Sequence, residues 1–249
     1  MHSAPSGWLD IERTRQANLR LGITLAMVAG ATNAGGFLAV GEYTSHMTGI
    51  VSSVADELVL GHWTLAIGGM ASFLAFLLGA MTTAWLVNWG LRRQLRSAFG
   101  LPLLLEGATL LLFGLFGAAI NLHITFFMPL TVLLLCYTMG LQNAVITKIS
   151  RAEIRTTHLT GLVTDLGIEM GKALYINRHI HEVPVRANWD KLGLQTKLIS
   201  GFFGGAIAGA LGFKHWGYIT TVPLAAVLLL LVLRPLLEDW RCWQTQSGR

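Results

Sequence analysis

Residues 63–91 read WTLAIGGMASFLAFLLGAMTTAWLVNWGL, and these 29 positions hold no Asp, Glu, Lys or Arg. An α-helix needs about 20 apolar residues to cross the hydrocarbon core of a bilayer, and a longer run accommodates tilt. Trp63 and Trp89 stand at the two ends of the run, as the aromatic belts of the two membrane surfaces require. The stretch therefore predicts one tilted transmembrane helix.

Four further runs are equally poor in charge, and they cover residues 21–41, 107–147, 198–213 and 216–233. The run over 107–147 is too long for one helix, and polar Asn121 and His123, followed by Pro129, divide it into two spans. The sequence therefore predicts an all-α polytopic membrane protein with six transmembrane helices.

The composition excludes a water-soluble fold. Only 12% of the 249 residues are charged, 53% are hydrophobic and the mean hydropathy is +0.57, whereas a soluble domain carries about 25% charged residues. We therefore expect a single integral membrane domain over residues 1–249, with the lipid bilayer as its partner. The net charge of +5 comes from Lys and Arg clusters between the apolar runs, which indicates topology signals rather than nucleic-acid binding. Two isolated cysteines predict neither a metal site nor a cofactor.

Two segments, over 43–60 and 156–172, could either cross the membrane or re-enter it from one side. If neither crosses, 17 of the 18 Lys and Arg residues face the side of the N-terminus, and if both cross the division is 11 to 7. Because positive residues concentrate on the cytoplasmic side, the first arrangement is favoured. It predicts six crossings, two re-entrant elements and both termini in the cytoplasm.

The two re-entrant segments repeat one motif. Residues 45–52 read SHMTGIVS and residues 157–164 read THLTGLVT, at an offset of 112. Upstream, Asn33-Ala34 matches Asn143-Ala144 in a similar apolar run. The chain thus divides into halves of about 1–122 and 123–249, each with three spans and one motif. Since three spans reverse the chain's direction, the second half is predicted to be an inverted copy of the first, as in many secondary transporters.

Each motif is predicted to begin a helix too short to span, over residues 49–60 and 160–172, with Thr48 or a neighbour as a cap. Two helix N-termini would then meet near the midplane, where free N–H groups and partial positive charge suit a small anionic or carboxylate-bearing solute. The predicted solute-binding residues are Asn33, His46, Thr48, Gly49, Asn143, His158, Thr160 and Gly161. The alternative is that the threonines only cap helices and the glycines only allow close packing.

Four acidic residues on the predicted half-helices are candidates for proton coupling, namely Asp56, Glu57, Asp165 and Glu169. Ionisable groups at membrane depth are costly and are often functional. The alternative is that these carboxylates are solvated at headgroup level. Glu106 begins an apolar run and is expected to lie at the membrane interface.

A row of glycines, Gly201, Gly205 and Gly209, gives one helix face a smooth surface for close packing. The sequence leaves two interpretations open. The face could pack on another helix of the same chain, or it could join two copies in a homo-oligomer.

Several of these motifs resemble the YoaK family of bacterial inner-membrane proteins, a family of unknown function. The resemblance is carried by AGATNAGGFL at 29–38, SHMTG at 45–49, MGLQNA at 139–144 and TTHLTG at 156–161, and it extends over about 20–235. It implies a location in the bacterial inner membrane and assigns no chemistry.

The pattern as a whole predicts a small-solute secondary transporter or permease, with its site between the two Thr-Gly motifs, and not an enzyme. A membrane-embedded enzyme would need catalytic groups at depth, for which His46, His158, Asp165 and Glu169 are the available material. A non-transporting scaffold or sensor would need only packing.

Overall fold

A computed structural model describes residues 9, 15–120, 123–150, 154, 156–177 and 183–247. Within these ranges the chain is all-α, as predicted, and no residue is in a β-strand. The helices are α1 Arg15–Val40, α2 Met47–Val59, α3 Trp63–Arg92, α4 Gly100–Ala118, α5 Ile124–Ile149, α6 Leu159–Leu174, α7 Trp189–Trp216 and α8 Thr221–Ser247, with a 3-10 turn at Gly217–Thr220.

Five stretches in the described part of the chain are long and apolar enough to cross a membrane. They are Gln16–Val40, Trp63–Arg92, Gly100–Ala118, Phe127–Ile149 and the 56-residue stretch Trp189–Gln244. The last contains both α7 and α8, which the 3-10 turn separates, so the predicted spans over 198–213 and 216–233 lie in two helices. The boundary falls after Trp216 rather than before it. Gly217 has φ of 58°, a left-handed conformation that ends α7 at little cost for a glycine.

The long apolar run over 107–147 breaks where the polar residues predicted it, between the end of α4 at Ala118 and the start of α5 at Ile124. Asn121 itself lies outside the described residues. In the sequence, Pro129 follows the polar residues that are predicted to divide the run. In the structure Pro129 lies after the break, inside α5. It occupies the second turn of that helix, where the ring removes one early backbone donor.

Both motif segments form short helices. α2 has 13 residues and α6 has 16, which correspond to about 20 Å and about 24 Å at 1.5 Å per residue. Both are shorter than the ~30 Å hydrocarbon core. α2 begins at Met47, two residues before the predicted start at 49, and α6 begins at Leu159, one residue before the predicted start at 160. α2 ends in a turn through Gly61, whose φ is 79°, and α3 follows at once.

Helices α1 and α7 pack backbone against backbone. A Cβ atom built on Gly205 would lie 2.0 Å from the carbonyl oxygen of Met27, and one on Gly30 would lie 2.0 Å from that of Phe202. Gly209 and Gly201 of the predicted glycine row also face α1. The row therefore serves an internal contact, which is one of the two interpretations that the sequence left open.

Helices α3 and α5 pack in the same way. A Cβ atom on Gly79 would lie 2.1 Å from the carbonyl oxygen of Tyr137, and one on Gly140 would lie 2.1 Å from that of Phe76. These contacts match those of α1 with α7. On α5, Gly140 and Tyr137 lie 110 residues after Gly30 and Met27 of α1. On α3, Gly79 and Phe76 lie 126 residues before Gly205 and Phe202 of α7. In both pairs, the first helix of one half packs on the third helix of the other.

The short helices also pack equivalently in the two halves, but within each half, because α2 packs on α3 and α6 packs on α7. The fourth helix of each half, α4 and α8, pack on each other. Apolar side chains, mostly from α1, α4, α5, α7 and α8, form the main core, and those fully buried include Leu21, Leu25, Leu103, Ile146, Leu198 and Leu228.

The turn after α3 is held to the last part of α8. The backbone N–H groups of Arg96 and Ser97 each donate to the Asp239 carboxylate at 2.9 Å, and the Arg96 guanidinium pairs with Glu238 at 2.8 Å. The Arg92–Arg96 region and the C-terminal part of α8 therefore lie at the same end of the molecule. The predicted topology also requires this.

The packing of α2 on α3 predicts a specific cross-link. A Cβ atom on Gly69 would lie 3.9 Å from the Cβ of Val54, within the range that a disulfide spans. In a chain with Cys136→Ala and Cys242→Ser, the pair Val54→Cys and Gly69→Cys should oxidise almost completely. Maleimide-polyethylene glycol labels free thiols only and slows the protein on a gel. We therefore expect no shift before a reducing agent is added and a shift after it.

The matched control for this cross-link is the pair Val54→Cys and Gly68→Cys. The Cβ position of Gly68 has no atom within 4 Å, so this pair should stay reduced and be labelled throughout. Equal oxidation of the two pairs would contradict the described packing of α2 on α3.

Candidate functional site

The first motif is tied to α1 just before α2 begins. The Ser45 hydroxyl donates to Oδ1 of Asn33 at 2.8 Å, and the Ser45 N–H approaches the same oxygen at 3.4 Å. The backbone carbonyl of His46 then accepts the N–H of Ile50 at 3.0 Å, which closes the first turn of α2. Asn33 thus positions the loop, and its carbonyl oxygen is already occupied by the chain.

The second motif has the same construction. The Thr157 hydroxyl donates to Oδ1 of Asn143, whose amide nitrogen donates to the carbonyl of Met139 at 2.8 Å. The carbonyl of His158 accepts the N–H of Leu162 at 3.1 Å. Two junctions 112 residues apart therefore use equivalent hydrogen bonds, and the sequence repeat is also a structural one.

In both motifs the histidine ring covers the glycine three residues later. A Cβ atom on Gly49 would lie 2.2 Å from Cδ2 of His46, and one on Gly161 would lie 2.2 Å from Nδ1 of His158. The glycines are needed here because an imidazole fills the space of their missing side chains. Both histidines are exposed at their outer face and stand immediately before the first helical residue.

The cap of each motif helix is a neighbour of the motif threonine, which the prediction of Thr48 or a neighbour left open. The N-cap residues are His46 and His158, and neither makes a capping hydrogen bond with its side chain. Thr48 and Thr160 lie in the first turns with exposed side chains. Without a side-chain cap, the first N–H groups of each helix keep their capacity to donate.

Two buried threonines next to the motifs were not singled out by the sequence. Thr44 and Thr156 are each 1% exposed, and neither hydroxyl has a hydrogen-bond partner among the described residues. They are also 112 residues apart, as are the other motif positions. A buried polar group without a partner is unusual and marks a place where water or a ligand can bind. The sequence did contain a signal for them, because both are threonines and each stands immediately before one of the matched segments, 45–52 and 157–164.

The two acidic residues of α2 differ in their surroundings. Glu57 is half-buried and its carboxylate contacts Nδ1 of His62 at 2.7 Å, while Asp56 is exposed. His62 was not among the predicted residues. The Glu57–His62 pair places a carboxylate and an imidazole in direct contact where α2 meets α3.

The acidic residues of α6 are tied to α7. Asp165 pairs with Lys191 at 3.2 Å. Glu169 is buried; it accepts the backbone N–H of Asn188 at 2.7 Å and pairs with Lys172 at 2.9 Å. The Asn188 N–H, followed by the bond from Lys172, lowers the pKa of Glu169. Because its ionised form is favoured, Glu169 is poorly suited to hold a proton near neutral pH.

A cavity of about 940 Å³ lies beside the first motif. It is bounded by the end of α1, the loop after it, one face of α2 and the first turns of α3 and α5. Of the predicted site residues, His46, Gly49 and Glu57 line it, whereas no described residue of the second motif does. The structure thus brings the predicted residues together in two groups, one at each motif, and the described cavity belongs to the first.

Glu106 is enclosed by protein. It is the seventh residue of the helix α4, is 1% exposed, and its Oε2 has no hydrogen-bond partner among the described residues. The helix α4 begins at Gly100, before the charge-free run starts, and the expected position of Glu106 at the membrane interface stays a prediction. Nearby, the Thr138 hydroxyl donates to that of Thr109 at 2.9 Å across α4 and α5.

The apolar helices, the charge-poor composition and the backbone packing through glycine define the class of this protein, which is an all-α integral membrane protein. The family described as protein of unknown function (DUF1275) matches residues 21–234, and the chain belongs to that family. No curated protein and no solved structure gives a significant match.

Proposed function

We propose that this membrane protein is a small-solute secondary transporter or permease, with a solute path that passes the two motif junctions. The observation that carries the proposal is the pair of equivalent junctions, each with a buried threonine hydroxyl to which the described residues offer no partner. Irregular backbone and unpaired polar groups are costly at membrane depth and are kept where they line a path or cavity.

The transport fold that we propose has six crossings and two re-entrant helices in inverted halves of about 1–122 and 123–249. In support, the 56-residue apolar stretch turns at Gly217–Thr220, so α7 and α8 are taken as separate spans. The exchanged packing of α1 on α7 and of α5 on α3 is what a two-fold relation between the halves produces.

We place the chain in the bacterial inner membrane with both termini in the cytoplasm. The charge distribution of 17 to 1 supports this orientation, and the resemblance to YoaK proteins supports the membrane. In this orientation the cavity at the first motif opens toward the outer side. In alternating access, each half would adopt the conformation of the other. The cavity at the first motif would then close, and an equivalent cavity at the second motif would open toward the cytoplasm.

A transporter is favoured over a membrane-embedded enzyme by how the candidate catalytic groups are engaged. Asp165 and Glu169 are paired with lysines, and each motif histidine packs on its own glycine. A scaffold would leave the cavity and the two unpaired hydroxyls without a role. Glu57 with His62 is the proton-coupling pair that we favour, ahead of Asp165, Asp56 and Glu169.

The experiment that tests transport uses purified protein in proteoliposomes with an imposed proton gradient. The vesicles are incubated with an isotope-labelled metabolite extract, and their contents are measured by mass spectrometry against empty vesicles. We expect one or a few solutes to accumulate, with a rate that depends on the gradient. If none accumulates with either polarity of the gradient, the transporter proposal is wrong. A solute that is converted rather than accumulated would indicate an enzyme.

A further inference from the structure

Building on the transporter role proposed above, we infer that the cavity at the first motif binds an organic cation with an apolar body. The observation that points to this ligand is the charge on the cavity wall. Glu42 and Glu57 both line it, and none of its described lining residues is Lys or Arg. A site with two carboxylates and, among its described lining residues, one histidine but no Lys or Arg attracts cations and disfavours anions.

The carboxylate of Glu57 is only partly engaged. One oxygen, Oε2, contacts the His62 ring, and the described residues offer no partner to the other. The pair fixes the orientation of the carboxylate at the cavity wall, and the second oxygen remains able to accept from a ligand's ammonium or to face a ligand's positive charge.

An aromatic pair forms part of the same wall. The rings of Phe37 and Tyr43 are stacked with centroids 4.4 Å apart and planes 13° apart, and both residues line the cavity. The two residues are 38% and 50% exposed, and stacking leaves the outer face of each ring uncovered by its partner. An aromatic face beside carboxylates is the combination that binds organic ammonium and phosphonium groups.

The helix termini at the cavity do not reverse this preference. The sequence predicted an anion from the partial positive charges of two helix N-termini, but the cavity is bordered by the C-terminus of α1 as well as the N-terminus of α2. The N-termini of α3 and α5 also border the cavity, so three N-termini and one C-terminus leave a net partial charge of about +1, which is smaller than the full charges of two carboxylates. The full charges of Glu42 and Glu57 therefore set the sign of the field.

The size and the remaining wall indicate an organic rather than an inorganic cation. A volume of about 940 Å³ is at the upper end of the range for drug-sized ligands. Leu65, Ile124, Met128 and Val132 supply apolar surface from α3 and α5. A metal ion would leave most of this surface without contact.

The test is equilibrium dialysis of detergent-purified protein with radiolabelled tetraphenylphosphonium. We expect saturable binding, a loss of about tenfold for Glu42→Gln or Glu57→Gln, and no measurable binding for the double variant. Tyr43→Leu should weaken binding about three- to tenfold. The matched control is Asp190→Asn, which removes an exposed carboxylate in the first turn of α7 that does not line the cavity, and its affinity should stay within about twofold of the parent.

Tetraphenylborate has the same shape as the phosphonium and the opposite charge, so it tests the charge preference of the cavity. For each probe, the difference in binding between the parent and the double variant removes the contribution of probe taken up by the detergent micelle. Borate binding should not fall in the double variant. No saturable phosphonium binding, an unchanged double variant, or borate binding that depends on the two glutamates would each overturn the inference. Because dialysis needs no gradient, a transport failure leaves this result unaffected. If the proteoliposomes take up a solute but the protein does not bind phosphonium, the cation inference is wrong and the transporter proposal stands.

Discussion

Leucine at position 205 is expected to leave almost no folded protein in the membrane, whereas leucine at position 204 is expected to be tolerated. The Cβ position of Gly205 lies 2.0 Å from the carbonyl oxygen of Met27, and a helix backbone cannot move aside as a side chain can. Accommodating leucine would separate α1 from α7 along the largest helix contact. We expect a cost of about 3 kcal/mol or more, read as loss of the monodisperse peak in fluorescence-detected size-exclusion chromatography.

Gly204 provides the matched control for this experiment. It is adjacent on the same helix, it is exposed, and no atom lies within 4 Å of its Cβ position. The repeat extends the prediction, because Gly79→Leu should fail for the same reason at the contact of α3 with the Tyr137 carbonyl. Parent-level yield and melting temperature for Gly205→Leu would show that α1 and α7 do not pack backbone to backbone.

The helices were largely predictable because apolar runs and polar breaks are local properties of the sequence. The break between α4 and α5 follows from the polar residues around His123, and the short α2 and α6 follow from the repeated motif. The ends were less accurate. α7 begins at Trp189, nine residues before the predicted span, because its charged first turns can be helical outside a bilayer.

The partners of these helices could not be predicted in the same way. A glycine row such as that around Gly205 indicates a close contact, but which backbone it meets depends on the whole topology. Burial of Glu106 and of the Thr44 hydroxyl likewise depends on neighbours distant in sequence. The cavity is a further case, because its wall combines Glu57 on α2 with residues of α1, α3 and α5. The anionic solute expected from the motifs was inferred without that wall, and it stays a prediction that the binding test also addresses.

Tryptophan at position 68 is expected to stop solute uptake without unfolding the protein. Gly68 lines the cavity, and no atom lies within 4 Å of its Cβ position, so a large side chain has room to enter the space that the solute would occupy. Overlap with a ligand costs on the order of 1–3 kcal/mol, which corresponds to a loss of about tenfold or more in affinity. We therefore expect uptake in the labelled-metabolite assay to fall by about that factor or to vanish.

Gly204→Trp separates this effect from the mere presence of a bulky residue on a helix. Gly204 has equally open space around it but does not line the cavity, so both uptake and melting temperature should match the parent. Since Gly68→Trp fills a void rather than a packed contact, its melting temperature should also stay close to that of the parent. Parent-level uptake by a folded Gly68→Trp variant would exclude the cavity from the solute path. The second motif, with His158 and Thr156, would then be the only described junction left to carry it.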